Sequence, residues 1–121
     1  MKIFAAAITL AVTLGAAGPV TPAFADDFAY GPDTCRTGYV WREASPFDHV
    51  CVRPSSRTLV AQENAVALSR IDPAGAYGTF TCINGFVWRE AFAGDVVCVV
   101  PARRTIVARE NAAAPLHRTR G

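Results

Sequence analysis

The sequence predicts an α+β fold made of two tandem ββα units, each a disulfide-stapled β-hairpin followed by a helix. Three observations carry that prediction. Residues 29–65 and 76–112 align without a gap at an offset of 47 residues, and 23 of the 37 positions are identical, so one small unit has been built twice. Four cysteines fall two per copy at the same spacing. Each copy also passes from an aromatic and β-branched stretch, through turn residues, into a stretch with helical periodicity.

In the first copy Gly38-Tyr39-Val40-Trp41-Arg42 and His49-Val50-Cys51-Val52 read as strands. Between them lies Glu43-Ala44-Ser45-Pro46-Phe47-Asp48, matched by Glu90-Ala91-Phe92-Ala93-Gly94-Asp95. Pro46 and Gly94 are different turn residues serving the same bend. Hairpins are therefore expected over 36–52 and 83–99. A bend centred near Glu43 would set Cys35 and Cys51 opposite each other across the ladder. Pro54 and Pro101 suit the first turn of helices over 55–71 and 102–114. Val60, Ala61, Ala67, Leu68 and Ile71 share one arc, with Leu59 and Val66 nearly opposite. Pro115 stops the second helix and leaves 115–121 as a flexible tail. A lone hairpin and helix leave apolar surface uncovered, so the repeats (29–71 and 76–114) are expected to pack together. The preferred picture is a pseudo-twofold pair sharing a small, four-stranded antiparallel sheet. Two beads on a linker is the alternative.

Residues 1–25 read as a signal peptide: Lys2, an apolar run over 3–17, and small residues at Ala23-Phe24-Ala25. The expected product is secreted, with no stable membrane insertion after cleavage. In an oxidising compartment the four cysteines read as two disulfides. Of three possible connectivities the repeat favours Cys35–Cys51 and Cys82–Cys98, because each bridge then belongs to its own unit. Each would close a loop of about 15 residues, worth ~3 kcal/mol in the chain-entropy estimate, which matters for a unit whose own core is marginal. A sixteen-residue separation and the absence of a repeated histidine argue against a metal knuckle. No metal or cofactor is expected. From residue 26 onward the chain has 11 Arg, no Lys and 10 acidic residues. That near-balance carries no footprint for nucleic acid.

The string Cys-x-x-Gly-(Tyr/Phe)-Val-Trp-Arg-Glu-Ala, followed by Asp-x-Val-Cys-Val-x-Pro-x-x-Arg, resembles a repeat found in small secreted proteins of high-GC Gram-positive bacteria, most of them without an assigned activity. There it also looks like a module appended to larger exported proteins. The resemblance implies export and modular use, and it transfers no catalytic residues. This chain departs from the pattern at Val96, where histidine is more usual, and at Pro115.

Trp41 and Trp88, each followed by Arg-Glu, are the most suggestive residues. Alternation puts Tyr39 and Trp41 on one strand face, with Val40 and Arg42 on the other. Tyr39, Trp41, Arg42 and Glu43, with Phe86, Trp88, Arg89 and Glu90, are the inventory of a shallow sugar- or peptide-binding platform. The competing reading makes each tryptophan a core residue against the disulfide and helix. Arg57 and Asn64, with Arg104 and Asn111, fall on the hairpin-facing arc. They read as a structural polar cluster: Arg57 pairing Glu43 or Asp48, Asn64 satisfying hairpin backbone, with Asp95 as the second-copy equivalent of Asp48. Glu63 and Glu110 read as solvated.

The function expected is a secreted, non-enzymatic binding module with two equivalent faces, its partner a cell-envelope glycan or protein. Two weak sites on one body gain from avidity on a repetitive polymer. A small hydrolase using Glu43 and Asp48 is one alternative, though a paired acid and base need a cleft that separates their environments. An inhibitor presenting the loop 44–47 is another, weakened by the divergence of Ser-Pro-Phe from Phe-Ala-Gly between copies.

Overall fold

In the computed structural model, residues 29–119 are described; the expected signal peptide, Arg120 and Gly121 lie outside them. The elements are β1 (Val40–Trp41), β2 (Cys51–Val52) and α1 (Pro54–Ala65) in the first copy. Their equivalents are β3 (Val87–Trp88), β4 (Cys98–Val99) and α2 (Pro101–Ala113) in the second. The result is tandem ββα units, an α+β fold. The strands form two separate two-stranded antiparallel sheets, not the single four-stranded sheet expected. What joins the copies is side chains and loops, because strands of two residues expose too little edge to extend a ladder.

The register corrects the bend. Trp41 lies opposite Cys51, and Trp88 opposite Cys98. The turn is therefore centred near Pro46, and Cys35 lies outside the ladder. Cys35 is bonded to Cys51 and Cys82 to Cys98, each with Cα atoms 5.6–5.7 Å apart. Each disulfide ties the second strand of its hairpin to the segment that precedes the first.

Both helices begin at proline in the first turn, where a missing N–H costs nothing. α1 ends sooner than the periodicity suggests, whereas α2 ends within one residue of the expected 114. α1 stops at Ala65 and continues as a 3₁₀ turn over Ala67–Arg70; α2 gives way to Ala114–His117. The expected arc fails beyond that break, and Leu68 is 83% exposed. Of that arc only Val60 is buried, as is Val107 in α2.

The segment expected as a loose tail is an ordered part of the fold. Pro115 ends the α-helix but opens the 3₁₀ turn, and the chain then returns to the first copy. The Arg36 and Thr119 backbone N–H groups donate to His117 and Thr34 carbonyls at 2.8 and 2.9 Å. In the other direction, the N–H groups of Ile83 and Asp72 donate to Arg70 and Thr81 at 2.9 and 2.7 Å. These are the same bonds displaced by one repeat: Cys35 bridges Arg118, and Ile71 bridges Cys82. The segment after each helix thus completes the opposite unit, which makes residues 70–72 and 117–119 equivalent pieces.

The apolar core is small and shared. Ala44 and Val60 from the first copy cluster with Ala91 and Val107 from the second. Among the described residues, the largest fully buried side chains are Arg42 and Arg89. Arg42 grips Asp48 with two bonds (Nε–Oδ2 2.7 Å, Nη2–Oδ1 3.2 Å). It then crosses to the second copy, donating to Glu110 (3.2 Å), the Asn111 side chain (2.9 Å) and the Ala91 carbonyl (3.3 Å). Arg89 mirrors this with Asp95 (2.8 and 3.2 Å) and Glu63 (3.3 Å). Glu63 also accepts from Arg103 Nε at 2.5 Å, whereas Glu110 pairs with the hydroxyl of Ser56. A buried guanidinium survives only if its donors are met, and here most of the acceptors beyond the local aspartate come from the other repeat. Glu63 and Glu110, expected as solvated, are instead clasps between repeats.

Candidate functional site: twin aromatic pockets

That burial removes Arg42 and Arg89 from the expected platform. Each is fully covered and occupied by internal acceptors. Asp48 and Asp95 are likewise consumed: besides arginine, Asp48 accepts from the backbone N–H groups of Ala44 and Val50, and Asp95 from those of Ala91 and Val97. Glu43 and Asp48 therefore do not present two carboxylates to one cleft.

Of the remaining platform residues, Tyr39 and Trp41, and Phe86 and Trp88, line two concavities. One of about 390 Å³ is lined by Tyr30, Thr34, Cys35, Tyr39, Val40, Trp41 and Arg57. One of about 290 Å³ is lined by Tyr77, Thr81, Cys82, Phe86, Val87, Trp88 and Arg104. Every member of the second is the repeat equivalent of a member of the first, and six of the seven are the same residue type.

Tryptophan is neither plain core nor plain surface: both indoles are half-buried. Trp41 Nε1 donates to the Asp33 carbonyl at 2.9 Å and Trp88 Nε1 to that of Phe80 at 2.8 Å. Because the acceptor is backbone, the change from Asp to Phe leaves the bond intact. With the polar edge fixed, the ring can serve as a wall. Tyr30 stands edge-on to Trp41 at 5.8 Å and Tyr77 to Trp88 at 6.4 Å. A threonine places each tyrosine. Thr34 Oγ1 accepts from Tyr30 N–H at 2.9 Å and donates to the Gly31 carbonyl at 2.7 Å; Thr81 does the same for Tyr77 and Gly78. Gly31 and Gly78 have φ of +84° and +95°, where a side chain would be strained.

Tyr39 is backed by the other repeat, stacked on His117 at 4.1 Å, with the Arg53 guanidinium 4.9 Å from its ring centre. Arg70 lies 4.5 Å over Phe86 at the equivalent position. The pockets differ behind the indole. His49 stacks on Trp41 at 3.8 Å and contacts Asp33 at 3.2 Å through Nδ1, whereas the second copy has Val96 there.

Arg57 and Arg104 line the pockets, each beside a glutamate, Glu43 or Glu90, that is not itself in the pocket lining. Arg57 Nη1 lies 3.5 Å from Glu43 Oε1 and Arg104 Nη1 3.6 Å from Glu90 Oε1, with all four side chains about half exposed. This is one of the two pairings expected for Arg57; Asp48 is not its partner. Asn64 and Asn111 cap hairpin backbone, donating to the Ala44 and Ala91 carbonyls at 3.1 Å. Glu43 and Glu90 hold φ of 58° and 57°, the left-handed region that is uncommon outside glycine and asparagine.

The sequence marks the tryptophans, Tyr39 and Phe86 of the lining, and the two glutamates beside it, but not Tyr30, Tyr77, Thr34 and Thr81. Their signal is the repeated Ala-Tyr-Gly-x-x-Thr-Cys, which lies ahead of the hairpin and outside both strands. Among the described residues no group of His, Cys, Asp and Glu could hold a metal ion, and no helix is long and apolar enough to cross a membrane. No protein family, curated protein or solved structure matches the chain.

Proposed function

We propose that the protein is a secreted, bivalent binding module that holds a repetitive cell-envelope polymer through its two aromatic pockets. The observation that carries this reading is the matching of all seven lining positions between copies. The nearby loop tips diverge freely. Two equivalent pockets on one body suit a target that repeats, because the second contact is made at high effective concentration. Two disulfides and the leader-like first 25 residues support an extracellular setting. The consumption of Asp48 and Asp95 inside the fold weighs against the hydrolase reading.

Trp41 and Trp88 are the only tryptophans in the chain, so intrinsic fluorescence reports on both pockets without mutation. Titration with purified cell-wall polysaccharide from a high-GC Gram-positive bacterium should shift or quench the emission saturably, and Trp41→Phe with Trp88→Phe should weaken retention on that polymer. Unchanged emission and no retention would remove the reading. A contact role confined to the first copy has one supporting observation: Phe47 is 88% exposed at the tip of its loop. Phe47→Ala would then abolish binding to a partner protein while leaving polymer binding intact.

A further inference from the structure

The arginine–glutamate pairs beside the two pockets point to the chemistry of what enters them. Arg57 and Glu43 are 3.5 Å apart, and Arg104 and Glu90 3.6 Å. A committed guanidinium–carboxylate pair closes to about 2.7–2.9 Å, as Arg42 does on Asp48 at 2.7 Å in the same molecule. The pocket pairs are loose. Among the described residues, Arg57 spends one N–H on the protein, on Glu43, and Glu43 Oε2 accepts nothing; Arg104 spends one on the Trp88 carbonyl at 3.5 Å, and Glu90 accepts no hydrogen bond. Each pair therefore offers spare donors beside a spare acceptor, with no net charge.

Both copies also keep glutamate at a φ near 58°. Glycine would take that conformation without strain. The surrounding loop positions 45–47 and 92–94 all differ, yet the glutamate and its arginine do not. The backbone demand alone does not explain a glutamate there, so its carboxylate is the retained feature.

A ligand for this arrangement needs an apolar surface for the rings and groups that both donate and accept at the arginine–glutamate pair. An anion would gain from arginine and lose to the adjacent carboxylate; a cation would meet the reverse. Adjacent hydroxyls satisfy both partners at once, each accepting from the guanidinium or donating to the carboxylate. The pocket volumes, about 390 and 290 Å³, sit at the small end for ligand sites and suit one compact unit each.

Resting on the polymer-binding reading above, we propose that each pocket takes one uncharged sugar residue. Its C–H surface lies against Trp41 and Tyr30 (Trp88 and Tyr77), and two adjacent hydroxyls bridge Arg57 and Glu43 (Arg104 and Glu90).

The test uses the intact protein and cell-wall polysaccharide in three forms: untreated, with carboxylates amidated, and oxidised by periodate, which cleaves the carbon–carbon bond between adjacent hydroxyls. Tryptophan fluorescence and retention on the immobilised polymer are the readouts. The expected result is binding of the untreated and amidated forms alike, a loss of at least about tenfold on the oxidised form, and little change between low and high salt. Glu43→Gln with Glu90→Gln, and Arg57→Gln with Arg104→Gln, should each lose about tenfold while keeping the parent circular dichroism spectrum. Binding that survives periodate, or that disappears on amidation and weakens steeply with salt, overturns the uncharged-sugar assignment and leaves the pocket reading standing. Failure of the untreated polymer to bind removes both.

Discussion

Replacing Arg42 with methionine keeps most of a fully buried side chain's volume and removes its charge. Asp48, 3% exposed, then loses both bidentate bonds, and Glu110 is left with the Ser56 hydroxyl as its side-chain partner. Breaking one side of a buried ion pair typically costs 3–5 kcal/mol, because a charge remains in a site that cannot hydrate it. A chain of this length has roughly 5–15 kcal/mol in all, so the substitution consumes a large share. With a urea m-value of about 2 kcal/mol per M, the unfolding midpoint of the oxidised protein should fall by about 2 M. The repeat supplies a control. Arg89→Met orphans Asp95 equally, but Glu63 keeps Arg103 at 2.5 Å. Its midpoint should therefore fall less than that of Arg42→Met. Urea titration followed by tryptophan fluorescence measures both. An Arg42→Met midpoint within about 0.5 M of the parent, or a larger loss for Arg89→Met, would refute the view that these guanidiniums are structural clasps.

Two further outcomes follow from the same geometry. Truncation after Ala114 removes the Arg36–His117 and Thr119–Thr34 backbone bonds, the Tyr39–His117 stack and the Arg118–Asp33 contact. At about 1 kcal/mol per bond it should cost about 2–4 kcal/mol, read as a lower denaturation midpoint; an unchanged midpoint would restore the segment to a loose tail. Glu43→Gly relieves a left-handed φ at a half-exposed position and should leave stability unchanged or raise it by up to about 1 kcal/mol; clear destabilisation in a thermal melt would mean the side chain supports the fold.

Much of the fold was legible because duplication doubles every signal. The hairpin–helix order, both disulfides and the backbone-capping role of Asn64 and Asn111 follow from aromatic clustering, cysteine spacing and helical arcs that agree between copies. What could not be read were features that one copy makes on the other. Burial of Arg42 depends on Glu110 and Asn111, nearly seventy residues away, and nothing in local alternation separates a clasped arginine from a solvated one. The tail follows the same pattern: Pro115 ends a helix on local grounds, while the docking of His117 and Arg118 depends on Cys35 and Tyr39. The turn residue Pro46 marks the true centre of the bend, and the cysteine pairing misleads about it because Cys35 is bonded to Cys51 from outside the ladder. Of the pocket, the tryptophan wall was visible and the tyrosine opposite was not, since Tyr30 reaches Trp41 through a threonine-held turn outside either strand.

Neither copy is complete alone, because each lends the other its post-helix segment, half of the apolar cluster and the acceptors for a buried guanidinium. A single oxidised repeat covering 26–75, studied by circular dichroism together with sedimentation equilibrium, tests it most directly. The expected result is an unfolded monomer, or a folded species only as a dimer that recreates the missing half. A folded, cooperatively melting monomer would contradict it.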